Sequence, residues 1–238
     1  MAAYPEKEKY SAEDLMQIIT LLRDPENGCP WDKVQTHQSI RKNFLEETYE
    51  ALEAIDADDP EMMREELGDV LMQVVFHAVI EQEKATFTFA DVCDEVCRKL
   101  IFRHPHIFGT PEEQKNGIID WDTIKNKEKG RRSLDDEINT VPRTFPAVMR
   151  AQKMQKRAQP YGKVCGDAET AKQQLDTAEV ALAARLSQDG SAADAAGEYL
   201  FRAVNWLRCN GMDAEEVLDL YNQKFAADCV EHKDSEQA

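Results

Sequence analysis

Along most of the chain the apolar residues recur every three or four positions, the period of helices buried on one side. Ser11 followed by Asp14 predicts a capped helix start, and Leu15, Ile18, Ile19 and Leu22 form the apolar stripe of a helix to about Arg23. Asp24–Asp32 (DPENGCPWD) reads as a loop from its Pro, Gly and Asn content. A long helix is predicted from about His37 to Ile55, with Ile40, Phe44, Leu45, Leu52 and Ile55 facing inward. Asp56–Pro60 (DADDP) breaks it, and Pro60 suits the first turn of the next helix. That helix runs to about Lys84 with Leu67, Leu71, Val74, Val75 and Ala78 on its apolar face. A fourth covers about Phe89–Phe102 and ends near His104-Pro105, where His104 and His106 read as structural caps.

Residues 109–144 are polar and read as a connector, with a short helix around Trp121–Lys129 and a solvated helix end at Lys125–Arg132 (KNKEKGRR). Helical patterning then resumes at about Phe145–Ala158, 168–187, 192–209 and 213–231. Gly68-Asp69-Val70-Leu71 is echoed by Gly197-Glu198-Tyr199-Leu200, and Asp91–Leu100 by Glu215–Phe225, which suggests two copies of one helical unit. The expected fold is therefore all-α: a unit over residues 1–108, a connector over 109–144 and a second unit over 145–238.

Composition narrows the class. Hydrophobic residues make up 42% and charged residues 32%, as in globular proteins. No apolar run approaches the roughly 20 residues of a membrane span, and MAAYPEKEKY is no signal peptide, so a cytoplasmic protein without membrane partners is expected. A net charge of −17 disfavours a nucleic-acid partner. The six cysteines form no C-x-x-C pair, and small buried thiols in a reducing compartment are expected rather than zinc ligands.

The chemistry lies in carboxylates. Glu46, Glu47 and Glu50 stand on the second helix, and Glu65, Glu66 and Asp69 on the third. Residues three apart share a helix face, so Glu47 pairs with Glu50 and Glu66 with Asp69. If the short break closes an antiparallel hairpin, Glu50 lies about 8.5 residues before its middle and Glu66 about 7.5 after it. Glu47 and Asp69 lie about 11.5 before and 10.5 after, so each cross-helix pair is level to within about 1.5 Å. Four converging anions repel one another, and a divalent cation resolves that conflict. An all-oxygen site suits magnesium, with manganese as a substitute. E-E-x-x-E alone is usually a solvated face; the matched pair on the next helix argues against that reading here.

These residues resemble the MazG family of nucleoside triphosphate pyrophosphohydrolases, whose pattern is E-E-x-x-E, a spacer, then E-x-x-D. Here it reads Glu46-Glu47-Thr48-Tyr49-Glu50, a spacer of 15 residues (51–65), and Glu66-Leu67-Gly68-Asp69. Leu21–Thr36, Arg103–Phe108 and Pro146–Ala158 also resemble long bacterial members, and the likeness is strong over about residues 11–160. The resemblance implies tandem helical-bundle units in a homodimer and magnesium-dependent cleavage of nucleoside triphosphates to monophosphate and pyrophosphate. It implies Glu47, Glu50, Glu66 and Asp69 as metal ligands, with Glu46 behind them or orienting the attacking water. Lys99 and Arg103 match phosphate-contacting positions; a cationic helix end is the plainer reading of that pair. Trp31 suits either a base stack or a core aromatic. One departure stands out. With Leu175 set on Leu45, Thr177 and Val180 replace Glu47 and Glu50, and with Gly197 on Gly68, Ala195 and Glu198 replace Glu66 and Asp69. Lys224 falls opposite Lys99, with Asp228 four residues on. Catalysis is expected in the first unit, with an inactive nucleotide-binding or regulatory dimer as the alternative.

Overall fold

The computed structural model describes residues 4–115, 133–188 and 190–236, and every regular element among them is helical. The chain divides into two compact units, Met1–Trp121 and Asp122–Ala238. The expected helix near Trp121–Lys129 and the Lys125–Arg132 run lie outside the described residues.

In the first unit, α1 (Ala12–Leu22) opens on the expected capping box: Ser11 Oγ accepts from the Asp14 N–H, and the Asp14 carboxylate accepts from the Ser11 N–H at 2.9 Å. The same carboxylate is buried and takes the Tyr4 hydroxyl at 2.6 Å and the Lys7 ammonium. Arg23 follows the helix and is itself buried. Its guanidinium donates to Glu83 at 2.7 and 2.8 Å and to the carbonyls of Asp32 (2.7 Å) and Gln35 (3.1 Å), and lies over the Phe76 ring. One side chain thus ties the loop after α1 to the end of α3 (Pro60–Glu83). Gly28 is required in that loop, because a Cβ there would meet the Asp24 carbonyl at 2.4 Å.

Helix α2 (Arg41–Asp56) and α3 form the central antiparallel hairpin. Asp58 adopts a left-handed φ of 52°, Asp59 accepts the N–H groups of Glu61 and Met62, and Pro60 supplies the first helical residue. Helix α4 (Phe89–Arg103) begins with a Thr88–Asp91 capping box and is followed by the short α5 (Pro105–Phe108) and α6 (Pro111–Lys115). The His104 ring bonds the Leu100 carbonyl at 2.6 Å, as expected of a cap.

The core of this unit is Ile19, Ile40, Val75, Phe76, Val79 and Ile80, with Leu15, Met16, Met72 and Phe89 against it. Ile19, Ile40, Val75 and Ala78 are buried as expected, and much of the remaining expected inward set is not. On α2 the buried residues are Ala51 and Ala54, while Leu45, Leu52, Ile55, Leu67 and Leu71 are exposed. Small residues allow the two helices to approach closely, and the larger apolar side chains are left on the outer flanks of the hairpin. Helix α2 also starts four residues later than expected. Thr36 and Ser39 cap each other's N–H groups in a turn, and His37 is drawn across to α3 instead.

The second unit comprises α7 (Leu134–Asn139), α8 (Ala147–Ala158), α9 (Ala168–Leu186), α10 (Ala193–Cys209) and α11 (Ala214–Glu236). Helix α7 lies in the segment read as connector, yet it packs on α8: Arg157 donates to the Glu137 carbonyl at 2.7 Å, and Val141 is buried. Helices α9 and α10 form the central hairpin. Gln155 of α8 is fully buried and donates to the Phe201 carbonyl at 2.7 Å, while Gln152 accepts from the Ala214 N–H at the start of α11. All six cysteines are free, but Cys93, Cys97 and Cys229 are exposed and the other three are half-buried. The expectation of buried thiols fails because α4 contributes no buried side chain and the apolar core lies elsewhere.

Candidate metal centre

The α2/α3 turn sets the register that brings the acidic pairs together. One carboxylate oxygen each from Glu47, Glu66 and Asp69 lies within 4.8 Å of the others, all three half-buried. Glu50 stands beside them, close enough for its charge to act on both Glu47 and Glu66.

The electrostatics are those of an uncompensated anion cluster. Burial raises the pKa of Glu47, and the charges of Asp69 and Glu50 raise it further, against a hydrogen bond from Gln73 that lowers it. Burial likewise raises Glu66, followed by the charges of Glu50, Asp69, Glu65 and Glu53. Three oxygen donors within reach of one point fit a hard divalent cation that keeps waters in its coordination sphere.

The remaining expected site residues have these surroundings. Glu46 pairs with Lys42, one turn earlier on α2, at 2.8 Å. The Lys99 ammonium bonds Glu95 at 2.7 Å, one turn earlier on α4. Arg103 is half-buried in the last turn of α4. Trp31 is 55% exposed, which removes the core-aromatic reading.

Sequence reading missed what lies along α3 beyond the cluster. Asp69, Gln73, His77 and Glu81 follow at intervals of four and share one face. Gln73 is buried and reaches Glu47. His77 Nδ1 meets His37 Nδ1 at 2.7 Å with the rings stacked, and His37 Nε2 meets Glu81 Oε1 at 2.5 Å. Burial, then the neighbouring His37, lowers the His77 pKa. The i, i+4 spacing on α3 was visible in the sequence; the 40-residue reach back to His37 was not.

The profile described as MazG nucleotide pyrophosphohydrolase domain matches residues 35–108, which contain the whole cluster. The nucleoside triphosphate pyrophosphohydrolase of Escherichia coli is 39% identical over 217 residues, covering 89% of this chain and 82% of that protein. A Thermotoga maritima protein, nucleoside triphosphate pyrophosphohydrolase/pyrophosphatase MazG, is 38% identical over 213 residues, 90% of this chain and 82% of its own. The nucleoside triphosphate pyrophosphohydrolase of Mycobacterium tuberculosis is 38% identical over 153 residues, 63% of this chain and 46% of its own.

Proposed function

We propose, from the premise that this chain belongs to the MazG nucleotide pyrophosphohydrolase family, that the Glu47–Glu50–Glu66–Asp69 cluster of the first unit is its working centre and that magnesium is its metal. The chain is a hydrolase of acid anhydrides that converts nucleoside triphosphates to monophosphate and pyrophosphate. The observation that carries the assignment of the centre is the convergence of Glu47, Glu66 and Asp69 within 4.8 Å.

In this reading Glu47, Glu50, Glu66 and Asp69 hold the cation. Held there, magnesium would supply Lewis-acid chemistry, polarising a phosphoryl oxygen and acidifying a water, and manganese would be the substitute. Glu46 is exposed at the rim and held only by Lys42, so it is free to swing and orient the attacking water. Lys99 and Arg103 lie four apart on α4 and supply the positive charge the centre lacks. Lys99 exchanges Glu95 for phosphate at small cost, since an exposed i, i+4 pair is weak. Trp31 offers its exposed face to the base.

The working form is a homodimer. Leu45, Tyr49 and Leu52 line one exposed face of α2, Leu67 and Leu71 one of α3, and Val96 and Leu100 one of α4. Contiguous apolar faces of this kind are covered in a working protein, and a second copy covers them. The compartment that suits a triphosphate substrate, free magnesium and six unpaired thiols is the cytoplasm.

The test is pyrophosphate release from a panel of ribo- and deoxynucleoside triphosphates with and without magnesium, on wild type beside Glu50→Gln. Metal-dependent release that falls at least a hundredfold in the variant supports the reading. Release that survives the substitution places the active centre elsewhere.

A further inference from the structure

A second slot lies in the other unit, between α9 and α10, with a volume of about 370 Å³. It is lined by Gln173, Gln174, Thr177, Ala178, Glu198 and Arg202 among others. The α9/α10 hairpin can be laid on α2/α3 by its own contacts. Gln174 accepts from Arg202 Nη1 at 2.9 Å, as Glu47 accepts from Gln73 in the first unit. Matching these two bonds sets Gln173, Gln174 and Thr177 on Glu46, Glu47 and Glu50, Ala178 on the likewise buried Ala51, Ala195 on Glu66, and Glu198 on Asp69. This differs by three residues from the α9 register suggested by sequence, which had placed Val180 in the cleft; Val180 is 71% exposed. The slot is thus the counterpart of the acidic cleft, with five carboxylates reduced to one.

Its chemistry is correspondingly changed. Glu198, the one remaining carboxylate, pairs with Arg202 at 3.1 Å, so the slot is electrically balanced and has no ligand set for a cation. A phosphate entering it would face Glu198 and would have to compete for a guanidinium already neutralised. The hydrogen-bonding capacity is large and mixed. Gln174 Oε1 accepts from Arg202 and the Cys165 thiol, leaving the amide N–H groups to donate. The Thr177 hydroxyl donates to the Gln173 carbonyl, leaving its oxygen to accept. Glu198 Oε1 takes Arg202, leaving Oε2 to accept. The buried Ala178 and the exposed Ala181 add apolar carbon to the lining. An open cleft that joins apolar carbon with both donors and acceptors and carries no net charge suits an uncharged heterocycle.

We infer that this slot is a second, metal-independent binding site that takes the base of a nucleoside-type ligand. The inference goes beyond the hydrolysis assigned to the first unit and stands on separate residues. It is tested by calorimetric titration of the full chain with the common nucleosides, free bases and nucleoside monophosphates in excess chelator. At least one nucleoside or base is expected to bind once per chain without metal. Gln174→Leu and Thr177→Val should each weaken that binding tenfold or more, with unchanged helix content by circular dichroism, and Glu50→Gln should leave it intact. Three results overturn the inference: no saturable binding of any nucleoside or base in chelator, binding that only phosphate-bearing compounds show, or binding that fails with Glu50→Gln and survives Thr177→Val. The hydrolase reading fails on a different measurement, pyrophosphate release, so the two outcomes are distinguishable.

Discussion

Replacing Glu47 with glutamine removes one charge from the acidic cluster and almost no volume, so it isolates the electrostatic cost of holding the carboxylates together. The Glu47 oxygen lies within 4.8 Å of its counterparts on Glu66 and Asp69. At that separation each like-charge contact costs about 0.9 kcal/mol even at the dielectric constant of water, and two contacts give about 2 kcal/mol. Counterions reduce this and partial burial raises it, so a gain of about 1–2 kcal/mol is expected for the metal-free variant. For a chain of this size that corresponds to a melting temperature higher by about 2–8 °C. The assay is thermal unfolding in chelator at low salt, repeated at high salt and with magnesium. The gain should shrink as salt rises. With magnesium the order should reverse, because a ligand at a hundred times its dissociation constant stabilises wild type by about 2.7 kcal/mol and the variant has lost a donor. A variant that melts at or below wild type in chelator at low salt would refute the reasoning, since the carboxylates would then not be crowded.

Three further outcomes follow from the same geometry. His77 has a folded pKa below its ordinary value because burial and then His37 disfavour its charged form, so the unfolded chain takes up the proton first. Stability is therefore full above the ordinary histidine range and falls as pH drops through it; urea unfolding at pH 7.5 and 5.5 should show the loss, and His77→Gln should flatten it. Arg23→Met leaves the Asp32 and Gln35 carbonyls without their donor and breaks the link to Glu83, at a cost of about 2–4 kcal/mol in urea unfolding; a change below about 0.5 kcal/mol would deny Arg23 its role as the loop anchor. Leu52→Glu puts a charge on the exposed face of α2 and should halve the mass measured by sedimentation equilibrium; an unchanged mass would remove that face from the proposed interface.

The all-helical fold was legible because several helices announce their ends locally. The Ser11–Asp14 box and the Asp56–Pro60 break appear where sequence places them, since caps and breakers act through neighbours within four residues. The matched carboxylate pairs were legible for a related reason: a short turn converts sequence distance from its middle into height on two helices. What could not be read depends on distant partners. His37 looks like the first turn of α2 by periodicity, yet its contacts lie 40 and 44 residues away. The outward-facing Leu45 and Leu52 satisfy a helical stripe as well as any core residue does, and period alone does not say whether the stripe meets this chain or another. The segment holding Leu134–Asn139 reads as polar connector because three of its residues are acidic, although Ser133 caps it and Glu137 is buried beneath Arg157.

Helix α3 explains why one hairpin can carry both a core and an anion cluster. Its second half holds Val75, Phe76, Val79 and Ile80, buried on several sides, and its end is clamped by Arg23 through Glu83. Its first half presents Glu66 and Asp69 to α2, where the buried alanines Ala51 and Ala54 permit close approach. The apolar half is the anchor that holds the acidic half in place against its own repulsion: fully burying a Val or Ile side chain contributes about 1.5–3 kcal/mol, against a repulsion of about 1 kcal/mol per carboxylate contact. Because the helix is continuous, its backbone cannot move the carboxylates apart without displacing that core, and only side-chain rotation is left to separate them. Part of the repulsion is therefore retained in the folded protein, where a cation can relieve it. In the second unit the corresponding positions on α9 and α10 carry amides, a hydroxyl and an internally paired carboxylate, so that hairpin holds no such repulsion and gives a cation nothing to relieve.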